Sequence, residues 1–239
     1  MAGRTVRAVH GPSLTDQVPA VYAFCREHLF RDDTERIIAA LWPEGGPPAG
    51  TKLVELGCGP GFYARRLAAR FRDLTVIGLD RSMAQLAQAE ARLVTAPLPN
   101  CRYDLGDATA LPYLDDSIDA VVAARLLANV ERPERVIAEV HRVLRPGGRC
   151  FVAEPRSRLR AAVPIALMRI AAQLAGSASR GAGRGSGGRG AEGRHERHRA
   201  AVLDGPAYAA VVGSQPWRRA SHWVDGPYQY ALLEKAEGR

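Results

Sequence analysis

Apolar and polar positions fall in blocks along the chain, and the blocks switch between the period of a helix and the period of a strand. From Asp16 to Trp42 the spacing is helical: Pro19 suits a first turn, and Val21, Cys25 and Leu29 recur every fourth residue. Asp33-Thr34 ahead of ERIIAALW predicts an N-cap and a second helix, which Pro43 and EGGPPAG end as a linker. Beyond it, Lys52 to Leu56 reads as a strand and Phe62 to Phe71 as a helix. Leu74 to Leu79 is a second strand, followed by a helix from Ser82 to Val94 with Ser82 or Asp80 near its cap. Cys101 to Leu105 and Ser117 to Ala123 are further strands. Pro133 to Val143 is a helix closed by Arg145-Pro146-Gly147-Gly148, and Arg149 to Ala153 a fifth strand. This alternation predicts an α/β fold whose mostly parallel sheet carries helices on both faces.

The last third changes character. Ala161 to Leu174 is an almost wholly apolar helical run, open to two readings: packing against the sheet, or a greasy lid toward a lipid-like ligand or a membrane surface. The glycine- and arginine-rich stretch near 176–200 has too few apolar groups to fold alone and reads as a flexible insertion. Gln215 to Val224 and Tyr228 to Glu234 alternate at period two around Asp225-Gly226, which predicts a terminal antiparallel hairpin.

Composition narrows the class. At 239 residues, 46% hydrophobic and 24% charged, the chain has the usage of one folded globular domain. No apolar run reaches the length of a membrane span and no apolar leader marks export, so a cytoplasmic setting is the expectation. The formal net charge of +8 suggests nucleic acid at first sight. Yet only Lys52 and Lys235 are lysines, an arginine bias that a GC-rich coding sequence would produce whatever the function. Six of the arginines sit between Arg180 and Arg199 beside Glu192 and Glu196, so the charge argues only weakly for phosphate contacts. Cys25, Cys58, Cys101 and Cys150 form no C-x-x-C pair, and small apolar side chains are the expected role. His195 and His198 are three apart but lack a further ligand cluster, so no metal is expected.

The chemistry concentrates at three strand ends. Glu55-Leu56-Gly57-Cys58-Gly59-Pro60-Gly61 stands at a strand-to-helix turn, where a glycine backbone can approach a ligand and present N–H groups. Asp80 ends the next strand, where a carboxylate can accept from both hydroxyls of a ribose or cap a helix. Asp107, before Ala108, follows the third strand, suited to an exocyclic amine or to an Asx turn. Together they line the crevice where open α/β sheets bind ligands. A dinucleotide site wants a glycine where Phe62 stands. Glu55, two residues before the first glycine, would repel a pyrophosphate but suits the cationic amino acid end of S-adenosylmethionine (SAM).

VELGCGPGFYARRLA, VIGLD, GDATALPYLDDSIDAVVA and RVLRPGGRCFVAEP resemble the ordered motifs of class I SAM-dependent methyltransferases, most of all the UbiE/type 11 subgroup. The resemblance covers roughly Leu53 to Glu154. It implies a Rossmann-like seven-stranded sheet, with an N-terminal helical lid and linker at 1–50 and a SAM-binding domain at 51–239. It also implies that Glu55, Gly57, Cys58, Gly59 and Gly61 hold the amino acid end and Asp80 the ribose. Arg81, Ser82 and Met83 would lie close by, Asp107 and Ala108 beside the adenine, and Ala124, Arg125 and the residues to Leu127 beneath the sulfonium. Tyr22 and His28 would belong to the lid. The chain departs from relatives that carry a histidine or aromatic just past the fourth strand, having ARLLANV there, and it has no Asn-Pro-Pro-Tyr type tetrapeptide.

The expected reaction is methyl transfer to a small-molecule acceptor, a natural product or a quinone- or lipid-like compound. An RNA methyltransferase, an inactive SAM-fold partner subunit and, more remotely, an NAD-linked oxidoreductase are the competing readings. A homodimer is compatible with the sequence. Where the acceptor needs a base, His28, Glu154 and His222 are the candidates. Tyr22, Asn129, Trp217, Trp223, Tyr228 and Tyr230 are candidates for an acceptor pocket, although alternating strands more often seat the aromatics of the hairpin in a core.

Overall fold

A computed structural model describes residues 18–156 and 203–238. The apolar run at 161–174, the insertion near 176–200 and the His195/His198 pair lie outside the described residues.

Helices α1 (Pro19–His28) and α2 (Thr34–Leu41) precede β1 (Lys52–Leu56), α3 (Phe62–Arg70), β2 (Thr75–Asp80), α4 (Met83–Thr95) and β3 (Cys101–Leu105). Then come β4 (Ile118–Ala124), a 3-10 turn at Leu127–Asn129, α5 (Pro133–Val143), β5 (Leu144–Pro155), α6 (Gly205–Val212), β6 (Arg219–Asp225) and β7 (Tyr228–Glu234). The sheet order is β3-β2-β1-β4-β5-β7-β6. The first five strands pair in parallel, and β7 runs antiparallel to both β5 and β6. The seven-stranded, mostly parallel sheet with a reversed terminal hairpin is thus the fold that the sequence pattern predicts.

Central strands are apolar on both sides because both faces are covered. Val54, Leu56, Val121, Ala123 and Val152 pack beneath α5 and α6. Leu53, Val76, Val122, Phe151 and Tyr230 pack with residues of α2 and α3, among them Ile37, Leu41, Phe62, Tyr63 and Leu67. Glu55 shares the second face by alternation, so its carboxylate is turned under the start of α3. All four cysteines are buried and unpaired.

Three local expectations need correction. The helix α6 went unforeseen, because GPAYAAVV is short and apolar without a helical stripe. Strand β5 begins at Leu144, five residues before the expected Arg149, and a register irregularity near its start absorbs the Pro-Gly-Gly turn. Asp33 does not cap α2 with its side chain; Asp32 accepts from the Thr34 N–H at 2.9 Å and from its hydroxyl instead. Freed from that duty, Asp33 is buried and accepts from the Tyr230 hydroxyl at 3.0 Å, with Arg31 Nε at 3.2 Å. It therefore ties the α1–α2 connection to β7.

Candidate functional site

The glycine loop leaves β1 at its carboxyl end, and Gly57, Gly59 and Gly61 all take positive φ, between 53° and 72°. That conformation costs an L-residue with a Cβ about 1–2 kcal/mol. The space is as restrictive as the torsions. A Cβ on Gly57 would stand 2.9 Å from Leu126, one on Gly59 3.2 Å from Tyr22, and one on Gly61 inside the Tyr103 hydroxyl.

Asp80 holds the loop in place. Its Oδ2 accepts from the Gly59 N–H at 2.8 Å and its Oδ1 from the Ser82 N–H at 2.9 Å, while Ser82 Oγ caps α4 by accepting from the Gln85 N–H. Asp80 thus steadies the turn, and it is half-buried at the carboxyl end of β2.

Glu55 lies beneath, fully enclosed, with Oε2 accepting from the Ala64 N–H at 2.7 Å in the first turn of α3. Burial raises its pKa to about 7, against the opposing pull of that N–H and of Arg26 and Arg125. Cys58 points below the loop toward Gly78, and burial raises its thiol pKa well above the ordinary value. Asp107 is exposed and forms the Asx turn, its Oδ1 accepting from the Thr109 N–H and hydroxyl at 2.8 Å, with Ala108 buried behind it. Arg81 and Met83 are exposed at the mouth of α4.

The N-terminal helices lean over this notch. Tyr22 stands above Gly59. Arg26, 3% exposed, lays its guanidinium 3.7 Å from the Phe62 ring centroid and 4.5 Å from that of Tyr63. Its Nη2 is buried with no hydrogen-bond partner. Sequence reading missed Arg26, although it lies four residues from Tyr22 on one helix face, the spacing that makes such pairs neighbours. On the other side, Ala124 ends β4 and Arg125 follows with φ of 56°, its N–H donating to Ala153 at 2.7 Å. Asn129 is exposed and donates to the Arg125 carbonyl.

The candidate bases are spread out. Glu154 is 1% exposed, with Oε1 accepting from the Leu127 N–H at 2.7 Å and Oε2 buried without a hydrogen-bond partner. It anchors the turn after β4, and burial lifts its pKa to about 7. His28 is exposed at the end of α1, its ring 4.7 Å from that of Phe24. His222 is exposed on β6, four strands from β1, which at the usual spacing is about 19 Å away. Among the aromatics, Trp223 stacks on Tyr230 with centroids 5.5 Å apart, a packing role, and Tyr228 stands close enough to act on the charge of Arg125. Trp217 precedes β6 at the opposite end of the sheet from the glycine loop, and its Nε1 donates to Val212. Alternation alone could not show which end of the hairpin faces the notch. Among the described residues no group of three or more acidic, histidine or cysteine side chains could hold a metal ion.

Glu55 and Glu154 carry a pH prediction. Both pKa values stand near 7 in the folded chain, above the ordinary 4.5, so folding takes up protons between those values. Their stabilisation is complete below about pH 4.5 and is lost as pH rises through about 7, at most on the order of 3 kcal/mol per group. The melting temperature of the ligand-free chain should fall between pH 5 and 8, and Glu154→Gln should flatten the fall. A melting temperature that climbs over that range would contradict the assignment.

Comparison with known proteins agrees with this geometry. The family model described as "Methyltransferase domain" matches residues 54–152. The demethylmenaquinone methyltransferase of Renibacterium salmoninarum is 32% identical over 142 residues, 59% of this chain and 57% of that protein. The trans-aconitate 2-methyltransferase of Deinococcus radiodurans is 38% identical over 131 residues, 54% of this chain and 47% of that protein. The chain thus spans about half the length of these curated relatives. A SAM-dependent methyltransferase from Aquifex aeolicus shares the fold at 15% identity, with a TM-score of 0.61 over 90% of this chain and 97% of that one.

Proposed function

We propose that residues 54–152, which match the methyltransferase family model, form a class I SAM-dependent methyltransferase domain, and that the chain methylates a small-molecule acceptor by in-line displacement, with residues 18–50 as lid and linker. The observation that carries the reading is the notch itself: three positive-φ glycines, the Asp80 carboxylate and the buried Glu55 converge at the carboxyl ends of β1 and β2. That donor set fits SAM. Asp80 at the end of β2 would accept from the ribose hydroxyls, the glycine loop would bring backbone close to the amino acid end, and Glu55 would offset its positive charge. Arg26, with a sealed and unpartnered Nη2 beside the loop, would receive the cofactor's carboxylate. Asp107 and Ala108 would flank the adenine, near the exposed Arg81 and Met83.

When bound, SAM supplies an activated methyl carbon and takes away the electron pair of the broken carbon–sulfur bond as S-adenosylhomocysteine. The protein's share is alignment and exclusion of water, for which a lid bearing Tyr22 and Arg26 over a rigid loop is suited. Glu154 acts by fixing the turn that carries Arg125, through the bond its Oε1 accepts from the Leu127 N–H. The relatives' named substrates, demethylmenaquinone and trans-aconitate, support a small acceptor of the quinone or metabolite kind.

The test is calorimetric titration of SAM into the wild-type chain and into Asp80→Ala. Loss of hydrogen bonds to a charged group should weaken binding by about 1.5–3 kcal/mol, roughly tenfold to a hundredfold. Unchanged affinity would show the ribose lies elsewhere, and no binding to the wild type would remove the proposal.

A further inference from the structure

We infer that the chain carries a second ligand site, apart from the notch, that takes the phosphoryl group of a small phosphate monoester. A cleft of about 420 Å³ lies between the outer face of α3 and the turn after α4, bordered by α1. Ala69, Pro97 and Leu98 give it an apolar wall. Its charged groups are Arg65, Arg66 and Arg72 against the single carboxylate of Glu27. That size, with apolar walls and a few convergent charges, is the ordinary make-up of a small-molecule site.

The charges do not balance among themselves. Asp32 provides for Arg66, 3.2 Å from its Nη1. Glu27 accepts from Arg65 Nη2 at 3.2 Å, and Arg65 Nε is sealed from solvent without a partner. Arg72 is exposed and forms no ion pair among the described residues. Arg92, one turn before Ala96, donates from Nη1 to the Pro60 and Gln88 carbonyls, each at 3.3 Å. Burial, and then the like charge of Arg65, hold the Arg92 pKa below its usual value even against the pull of Glu27. Arg65, Arg72 and Arg92 thus share one carboxylate, an excess of about two charges, which a phosphate monoester supplies at neutral pH. The planar fork of a guanidinium matches phosphoryl oxygens, and the apolar wall suits the carbon body of an ester. A nucleic acid strand would want a row of phosphate contacts, whereas these arginines gather about one cleft with two carboxylates among them.

The experiment titrates phenyl phosphate and benzoate into the full chain by calorimetry at fixed ionic strength. Phenyl phosphate should bind about tenfold or more tightly than benzoate, the scale of a charged hydrogen bond. Arg72→Ala, an exposed change that removes no ion pair among the described residues, and Arg92→Gln should each weaken phenyl phosphate by about tenfold. Saturating S-adenosylhomocysteine should leave the phenyl phosphate affinity within about twofold, as for independent sites. No binding of phenyl phosphate, benzoate that binds as well, an affinity unchanged in either variant, or displacement by S-adenosylhomocysteine would each overturn the inference. A short single-stranded RNA that binds more tightly than phenyl phosphate and competes with it would overturn it too, by giving the cleft to a nucleic acid. Failure of S-adenosylhomocysteine to bind the wild type would bear on the notch alone, and the two variants would still decide the cleft.

Discussion

Gly61→Ala is expected to cost about 2–5 kcal/mol of stability and to abolish measurable SAM binding. Gly61 sits at φ of 72°, so any side chain adds the left-handed penalty of about 1–2 kcal/mol. Its Cβ would also fall within 2.6 Å of Tyr103 Cζ and 2.8 Å of Cε1. Tyr103 has little room to retreat, because a Cβ on Gly78 would meet the same ring at 2.6 Å, which shows how closely that backbone already borders it. Overpacking of this kind costs about 1–3 kcal/mol more. Relief can come only by lifting the loop, which would pull Gly59 from Asp80 and the start of α3 from Glu55. Denaturant unfolding and calorimetry with SAM measure both effects. The double variant Gly61→Ala/Tyr103→Leu should recover the steric part and leave the torsional part. Full tolerance of Gly61→Ala would mean that the loop is softer than its contacts imply.

Asp33→Ala should have the second large effect, about 2–4 kcal/mol of stability, although Asp33 touches no part of the notch. It is 2% exposed and accepts from Tyr230 at 3.0 Å, with the Tyr63 hydroxyl 3.5 Å from its other oxygen. Removing it strands the Tyr230 hydroxyl, leaves Tyr63 only the bond it accepts from the residue 33 N–H, and takes a shared carboxylate from Arg31 and Arg36. Those arginines are partly exposed and keep Asp225, which limits the loss. The connection that loosens holds α1, and with it Tyr22 and Arg26 over the glycine loop. SAM affinity should therefore fall together with stability, and Asp33→Asn, which keeps an acceptor oxygen, should lose less of both. Affinity unchanged in a destabilised Asp33→Ala would detach the lid from cofactor binding.

Strands β1 and β3 and helix α5 begin and end where the apolar periodicity places them, because each is bounded by a polar or glycine-rich break. Helix α6 shows no stripe, its eight residues being apolar all round; its local signals are the Asp204 cap, Pro206 in the first turn and Gly213 at the end, and it packs beside α5. Asp33 misled because a capping residue and a buried ion-pair hub share the same local sequence. Its partners Tyr63 and Tyr230 are 30 and 197 residues away. Trp217 and Trp223 alternate on one run, yet the antiparallel turn carries Trp217 to the far end of the sheet from the notch.

The alternation of strands and helices from β1 to β5, the terminal hairpin, the glycine turn and the acidic residue closing β2 follow from the sequence alone, since period, turn chemistry and backbone torsion are local properties. Which carboxylate is buried, which arginines gather around it, and which aromatics face the notch were decided only by tertiary packing. Desolvation and charge pairing depend on what distant segments bring within a few ångströms, and no spacing along the chain encodes that.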